Sequence, residues 1–512
     1  MFRSSTFLKA NLKNVRFNSS LPLSVKLNLP NGISYEQPTG LFINNEWVKP
    51  LRGETLEVTS PSTEEVITKV YQGLEDDVDV AVAAAKNAFE TTSWATGDPT
   101  ARVRALLKLA DLYEEHAETL ASIEVLDNGK CIANARGDVA LSANYLRSAA
   151  GFADKMHGEF IETGNTHLNY TRKEAIGVVG AIVAWNFPLM LLSWKLGPAL
   201  AAGNTMVIKS AEATPLSALF VANLIKEAGF PAGVVNFVTG LGPTVGERIS
   251  THPDIGKITF TGSTLVGKRI MRNASETVKK VTLELGGKSA NIVFPDADID
   301  RAVENIYPSI FYNTGEVCSA GSRLYVHEDI YDGFISRLLE KVKTIKMGNP
   351  FDESVVMGAQ NSVAQFKKIL KYIEIGNAEG AKLLTGGKRH GNKGYFVEPT
   401  IFTDVKPNMR IVQEEIFGPV LAVSKFSSTD EVIKAANDST YGLASGIHTS
   451  NINTIAKVSS QLKAGTVFVN TYNDFNPAVP FGGFKQSGFG KEMGKDALDS
   501  YIQIKAVRAG IY

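Results

Sequence analysis

From Ile176 onward, strand and helix signals alternate, and this alternation limits the chain more than any other feature. A β-branched run over 178–184 reads as a strand, 189–202 as an apolar helix stopped by Gly203, and 205–209 as a second strand. Thr214-Pro215 then supplies an N-cap with proline in the first helical position, opening a helix that runs to Gly229 with Pro231 behind it. Further strand and helix signals follow at 234–238, 244–250, 257–260, 264–275 and 278–283. Apolar strands separated by helices predict an α/β fold with a parallel sheet covered on both faces, and such sheets bind ligands beyond the carboxyl ends of their strands. A second α/β region over 288–483 carries a strand at 291–294, a helix opening near Asp298, a loop containing Cys318, and a strand at 323–326.

The uncharged stretch 175–194 matches a membrane span in length. Asn186 and Pro188 interrupt it, and its glycines and β-branched residues read as strand, turn and helix of a water-soluble core. Of 512 residues, 53 are basic and 53 acidic, which gives no global argument for nucleic acid or an anionic surface as partner. Two cysteines far apart argue against a disulfide scaffold and fit a reducing compartment. No histidine falls at a metal-ligand spacing from another histidine or a cysteine, so no metal site is expected. Residues 1–20 differ from the rest. They lack acidic residues, and Lys9, Lys13 and Arg16 lie beside a stripe of Leu8, Leu12 and Val15, the pattern of a mitochondrial presequence, with a basic tail as the alternative.

Four places carry chemistry. Gly262, Ser263 and Gly267, between a strand and a helix, suit a pyrophosphate, although an ordinary βα turn would look the same. Gly240-Leu241-Gly242 and Gly488-Phe489-Gly490 only begin the dinucleotide pattern, because the next glycine comes one position late in both. Lys209 and Glu212 follow a strand end, where a carboxylate can hold ribose hydroxyls or simply be a surface charge. Glu284 ends an apolar alternating strand before Gly286-Gly287, as a general base of raised pKa or as a cap of the next turn. Cys318 lies among small and polar residues, a setting of access, whereas the helical setting of Cys131 indicates a structural role.

Together, the segments AWNFP (184–188), KSAEATP (209–215), FTGST (260–264), LELGGKS (283–289), FYNTGEVCSAGSR (311–323), EEIFGPV (414–420) and PFGGFKQSGFGKE (480–492) resemble the aldehyde dehydrogenases, most of all the fungal mitochondrial members. The resemblance implies a Rossmann-like parallel-sheet cofactor domain over 21–156 and 175–287, an α/β catalytic domain over 288–490, and a small β oligomerisation element from 157–174 and 491–512. It implies Cys318 as nucleophile, Asn186 with the Cys318 backbone N–H as oxyanion donors, and Glu284 as activator of water. Trp185, Lys209, Glu212, Gly262, Ser263, Gly267, Leu285, Glu415 and Phe417 would serve the cofactor. Glu212 favours NAD by repelling a 2′-phosphate, while Lys209 leaves NADP open. Phe187, Leu191, Trp194 and Phe475 would line a tunnel for a small aldehyde such as acetaldehyde. A homo-oligomer, dimer or tetramer, in the mitochondrial matrix is expected, with no nucleic-acid or membrane partner. A CoA-acylating enzyme and a non-catalytic protein of the same fold are the alternatives, whereas a cysteine hydrolase would want a histidine that none of these segments holds.

Overall fold

The computed structural model describes residues 21–511, so the presequence expected at 1–20 lies outside the described residues. Two large sheets organise the chain. The first has eight strands, in the order Gly488–Phe489, Lys280–Glu284, Ile255–Thr261, Val178–Ile182, Thr205–Lys209, Val235–Phe237, Leu41–Ile43 and Glu46–Val48. The five strands from Lys280–Glu284 to Val235–Phe237 are mutually parallel, and each flanking strand pairs antiparallel with its inner neighbour. Val178–Ile182 and Thr205–Lys209 are buried at every position, which explains their continuous apolar character in place of an alternation.

Glycine sets the packing at the sheet centre. A methyl group on Gly180 would lie 2.5 Å from Ile249 and 2.9 Å from Ile258, so the helix Glu247–Thr251 can seat closely only because this side chain is absent. The stretch that imitates a membrane span is the strand Val178–Ile182, a turn, and the wholly buried helix Pro188–Ala201. Among the described residues no helix is long and apolar enough to cross a membrane.

The second sheet has seven strands: Lys382–Thr385, Thr400–Thr403, Val420–Phe426, Arg323–His327, Ala290–Val293, Ala444–His448 and Thr466–Val469, all parallel except the first. Three sequence boundaries shift. The strand expected over 278–283 begins at Lys280, because Val278 is 89% exposed and takes φ 52°. Gly488–Phe489, inside the segment grouped with the second sheet, pairs with Leu283 and Glu284 of the first. Residues 491–501, grouped with the oligomerisation element, pack into the body: Glu492 and Tyr501 are buried, and Asn204 Nδ2 donates to the Tyr501 carbonyl. The element itself is a two-stranded ribbon, His167–Ala175 against Ile502–Gly510, paired over nine residues from Ile502–Ala175 to Gly510–His167, with Leu168 and Ile504 exposed.

Val278 is strained, since a β-branched side chain in the left-handed region crowds its own backbone. Asparagine tolerates that region. Val278→Asn is expected to raise stability by about 1 kcal/mol, read as a higher denaturant midpoint at unchanged slope.

Candidate active site

The carboxyl ends of the first sheet's central strands open onto a cavity of about 600 Å³ between the two sheets, in the crevice where parallel sheets hold their ligands. Ile255–Thr261 delivers Gly262 and Ser263, Lys280–Glu284 ends on Glu284, and the turn after Val178–Ile182 presents Trp185, Asn186 and Phe187. From the second sheet, the segments leading into Arg323–His327 and Val420–Phe426 bring Cys318, Glu415 and Phe417.

Cys318 follows an unusual chain reversal. The helix Ile299–Phe311 ends in a tight turn in which Asn313, Thr314 and Gly315 all take positive φ, 46°, 57° and 75°. Two successive non-glycine residues in that region are costly, and such strain collects where a side chain must be aimed. The third must be glycine, because a methyl group on Gly315 would lie 2.3 Å from the Gly418 backbone. Beyond the turn, Tyr472 donates to the Ser319 carbonyl at 2.8 Å and Ser319 Oγ donates to Asn473 at 2.8 Å, so the loop is held immediately after the sulfur.

The paired glycines of LELGGKS also have a spatial reason. A methyl group on Gly286 would lie 2.2 Å from the Glu415 carboxylate, and one on Gly287 would lie 2.4 Å from the Cys318 carbonyl. Gly287 N–H donates to Glu415 Oε1 at 2.9 Å. One glycine pair thus lets three strands of the chain approach where Glu284, Glu415 and Cys318 meet.

Electrostatically the site is set by burial. Glu284 is 2% exposed, and neither of its carboxylate oxygens has a hydrogen-bond partner among the described residues. Loss of hydration raises its pKa to about 8, opposed in part by the neighbouring Cys318 thiol and the Lys195 ammonium. Cys318 is pushed well above its usual range, first by desolvation and then by the Glu284 carboxylate, although the residue remains partly open to the cavity. Two acids side by side cannot readily both ionise, so they titrate as a pair. Cys131, buried at a helix N-terminus, is raised to about 12 by desolvation and does not border the cavity.

Asn186 is clamped. Its Nδ2 donates to the Glu316 carbonyl at 2.9 Å, its carbonyl accepts from Asn313 Nδ2 at 3.1 Å, and Asn128 Nδ2 donates to the preceding carbonyl of Trp185 at 2.8 Å. An amide nitrogen carries two protons, so one stays available to an oxygen in the cavity.

Of the sequence candidates, Cys318, Glu284, Asn186, Trp185, Gly262, Ser263, Leu285, Glu415, Phe417, Phe187, Leu191, Trp194 and Phe475 all border this one cavity. Three do not. Lys209 and Glu212 form an ion pair at 2.9 Å beyond the neighbouring strand end, with the Glu212 carboxyl held below its usual range; burial opposes this, and Lys209 outweighs it. Gly267 lies within the helix Thr264–Ser275, where a methyl group would meet Leu285 at 2.7 Å, so its place is in packing that helix against the cavity wall.

The sequence reading missed Gln365 and Lys368, which share the wall with Glu415. Gln365 donates to the Phe417 carbonyl and secures the left-handed backbone of Phe417, φ 62°, whose ring meets Trp185 edge-on at 5.3 Å. It also missed the buried ion pair of Lys195 with Glu492. A signal for that pair existed: Lys195 is the single charge in the helix Pro188–Ala201, and a charge in so apolar a helix needs a buried partner.

Ser263 caps the helix Thr264–Ser275 by accepting from Val266 N–H at 3.4 Å, and the unpaired amides of that helix start suit a phosphate oxygen. Among the described residues no group of three or more histidine, cysteine or acidic side chains could hold a metal ion. The chemistry on offer is nucleophilic: a thiol, an amide donor and an unpartnered carboxylate around one space.

The family model described as "Aldehyde dehydrogenase family" matches residues 47–507. The chain is 55% identical over 486 residues to an aldehyde dehydrogenase of Aspergillus niger, covering 95% of this chain and 98% of that one. It is 51% identical over 474 residues to aldehyde dehydrogenase 1A1 of Rattus norvegicus, covering 92% and 95%. Among solved structures, an aldehyde dehydrogenase from Bacillus cereus in complex with NAD+ superposes with a TM-score of 0.92 at 50% identity, covering 93% of this chain and 97% of that one.

Proposed function

The chain belongs to the aldehyde dehydrogenase family, and from that premise we propose that it oxidises small unbranched aldehydes such as acetaldehyde to carboxylic acids with NAD, through a covalent bond to Cys318. The observation that carries this reading is the meeting of Cys318, Asn186 and the unpartnered Glu284 on one cavity. Cys318 Sγ gives up its proton, with Glu284 as the nearby base, and adds to the aldehyde carbon. Asn186 Nδ2 and the Cys318 N–H then hold the alkoxide oxygen, and the clamp on Asn186 means that no reorganisation is needed at that moment. NAD, when bound, would supply the hydride acceptor, so that the adduct held on Cys318 could be oxidised to a thioester. Glu284, once it has passed the Cys318 proton to solvent, takes a proton from water as that water attacks the thioester carbon; the Cys318 thiolate leaves, regains a proton from Glu284, and the acid departs with the thiol restored.

The cofactor is fitted by groups already in place. Ser263 and its helix start would face the pyrophosphate, Lys209 and Glu212 the adenosine ribose, and Glu415, Trp185, Leu285 and Phe417 the nicotinamide end, with Gln365 and Lys368 beside them. Glu212→Gln is expected to remove the repulsion towards a 2′-phosphate and narrow the preference for NAD over NADP roughly tenfold in kcat/KM. An unchanged ratio would assign the preference elsewhere.

Phe187, Leu191, Trp194 and Phe475 give the tunnel an apolar aromatic wall, which supports a short alkyl chain as substrate. The ribbon of His167–Ala175 and Ile502–Gly510, with its exposed edges and apolar side chains, supports a dimer or a dimer of dimers. The basic, acid-poor composition of residues 1–20 supports a mitochondrial matrix location.

The reading is tested by mixing the purified protein with acetaldehyde and NAD or NADP and following the absorbance of reduced cofactor. Product formation only after addition of CoA would replace it with the acylating reaction. No reduction over a panel of aldehydes with either cofactor would leave a silent site.

A further inference from the structure

Beneath the tunnel wall lies a buried set of charges with no part in the chemistry above. Lys130 Nζ lies 2.6 Å from Asp138 Oδ2 and 3.5 Å from Glu124 Oε2, and all three side chains are buried. Lys130 does not border the cavity, but its ammonium sits 4.5 Å from the centroid of the Phe187 ring. The partner carboxylate reaches the same wall, where Tyr312 Oη donates to Asp138 Oδ1 at 3.4 Å. Phe187 and Tyr312 stack on each other at 6.3 Å and 16°, and both border the cavity together with Asp138.

A buried ion pair gives little net stability over apolar packing of the same volume, and its best-attested use is to fix a geometry. Here the geometry is that of two rings. An ammonium over a ring face holds that ring by its quadrupole, and a hydroxyl on a carboxylate fixes the outer end of the second ring. Both anchors converge on one ion pair, so neither ring can turn away from the tunnel without breaking a buried polar contact.

We propose that Lys130 and Asp138 are positioning residues that lock the Phe187–Tyr312 ring pair and so set the tunnel width that favours short unbranched aldehydes over bulky ones. The inference rests on the aldehyde-oxidising reading above. This stretch of the tunnel wall is thereby made rigid. Freed of its anchors, the wall yields: a bulky aldehyde gains room, and a small one loses its packing.

The test compares kcat and KM for acetaldehyde, hexanal and benzaldehyde in the full protein and three variants. Lys130→Met removes the ammonium, Lys130→Met/Asp138→Leu removes both charges of the ion pair that the rings touch, and Tyr312→Phe removes only the hydroxyl. In the first two, the ratio of kcat/KM for acetaldehyde to that for benzaldehyde is expected to fall roughly tenfold, mainly through KM. Tyr312→Phe is expected to lower it about threefold, since one anchor remains. If Lys130→Met does not fold, the double variant and Tyr312→Phe carry the comparison. A purely structural role would lower activity towards all three aldehydes alike and leave the ratio unchanged, which overturns the proposal. A wild-type protein inactive on all three overturns the functional reading and this inference with it.

Discussion

Replacing Cys318 with alanine is expected to lower aldehyde-dependent cofactor reduction by about 10⁴-fold or more, because no other thiol borders the cavity to form the thioester on which the later steps depend. Cys131 offers no substitute, being fully enclosed at a helix start with its thiol raised to about 12. The protein should stay folded, since Cys318 stands at the edge of open space and its loop is held through Ser319. Two measurements complete the test. A limiting thiol-alkylating reagent should label the peptide containing Cys318 and spare that of Cys131, and acid-quenched turnover mixtures should contain an acylated form of the same peptide. Acid production persisting in Cys318→Ala would exclude the covalent route.

Glu284→Gln is expected to divide the reaction in time. The first turnover should still release about one equivalent of reduced cofactor per active site, while the steady-state rate falls about 10³-fold, because thioester hydrolysis has lost its base. The pH dependence follows from the direction of the shift. Burial raises the carboxyl to about 8, and only the ionised form can accept a proton from water. At pH 7 about one-tenth of the groups are ionised, so kcat should climb through pH 8 and level off above it. The Cys318 thiol, also raised and adjacent, adds a second ionisation to kcat/KM that belongs to the pair. In Glu284→Gln the climb in kcat should vanish. A variant that keeps the steady-state rate, or a wild-type profile flat between pH 6 and 9, would remove Glu284 from the hydrolytic step.

How much of this was legible in the chain differs from residue to residue. Strands such as Thr205–Lys209 and helices such as Thr264–Ser275 stand where periodicity and caps place them, because both signals are local. Val278 misled the strand assignment: its side chain favours extended structure, but the turn after the helix forces it to a positive φ. Gly286 and Gly287 were visible as a turn. That one makes room for Glu415 and the other for Cys318 could not be read, since those partners are remote in sequence. Lys195 and Glu492 are separated by |i−j| = 297, and a lone lysine in an apolar helix says that a partner exists without saying where. Gln365 and Lys368 lie on an ordinary amphipathic helix, and only its docking beside Glu415 turns two of its polar positions towards the cavity.

The sequence by itself determined the alternation of strands and helices, the parallel sheet it demands, and the identity of the reactive groups, because these depend on neighbours within a few positions and on side-chain chemistry. Tertiary structure alone decided that thiol, amide and carboxylate share one space, that Glu284 is stripped of partners, and that a buried ion pair backs the aromatic wall. Those properties arise from dehydration and from close approach of distant segments, and a carboxylate acquires a pKa near 8 only when the packed fold removes its water.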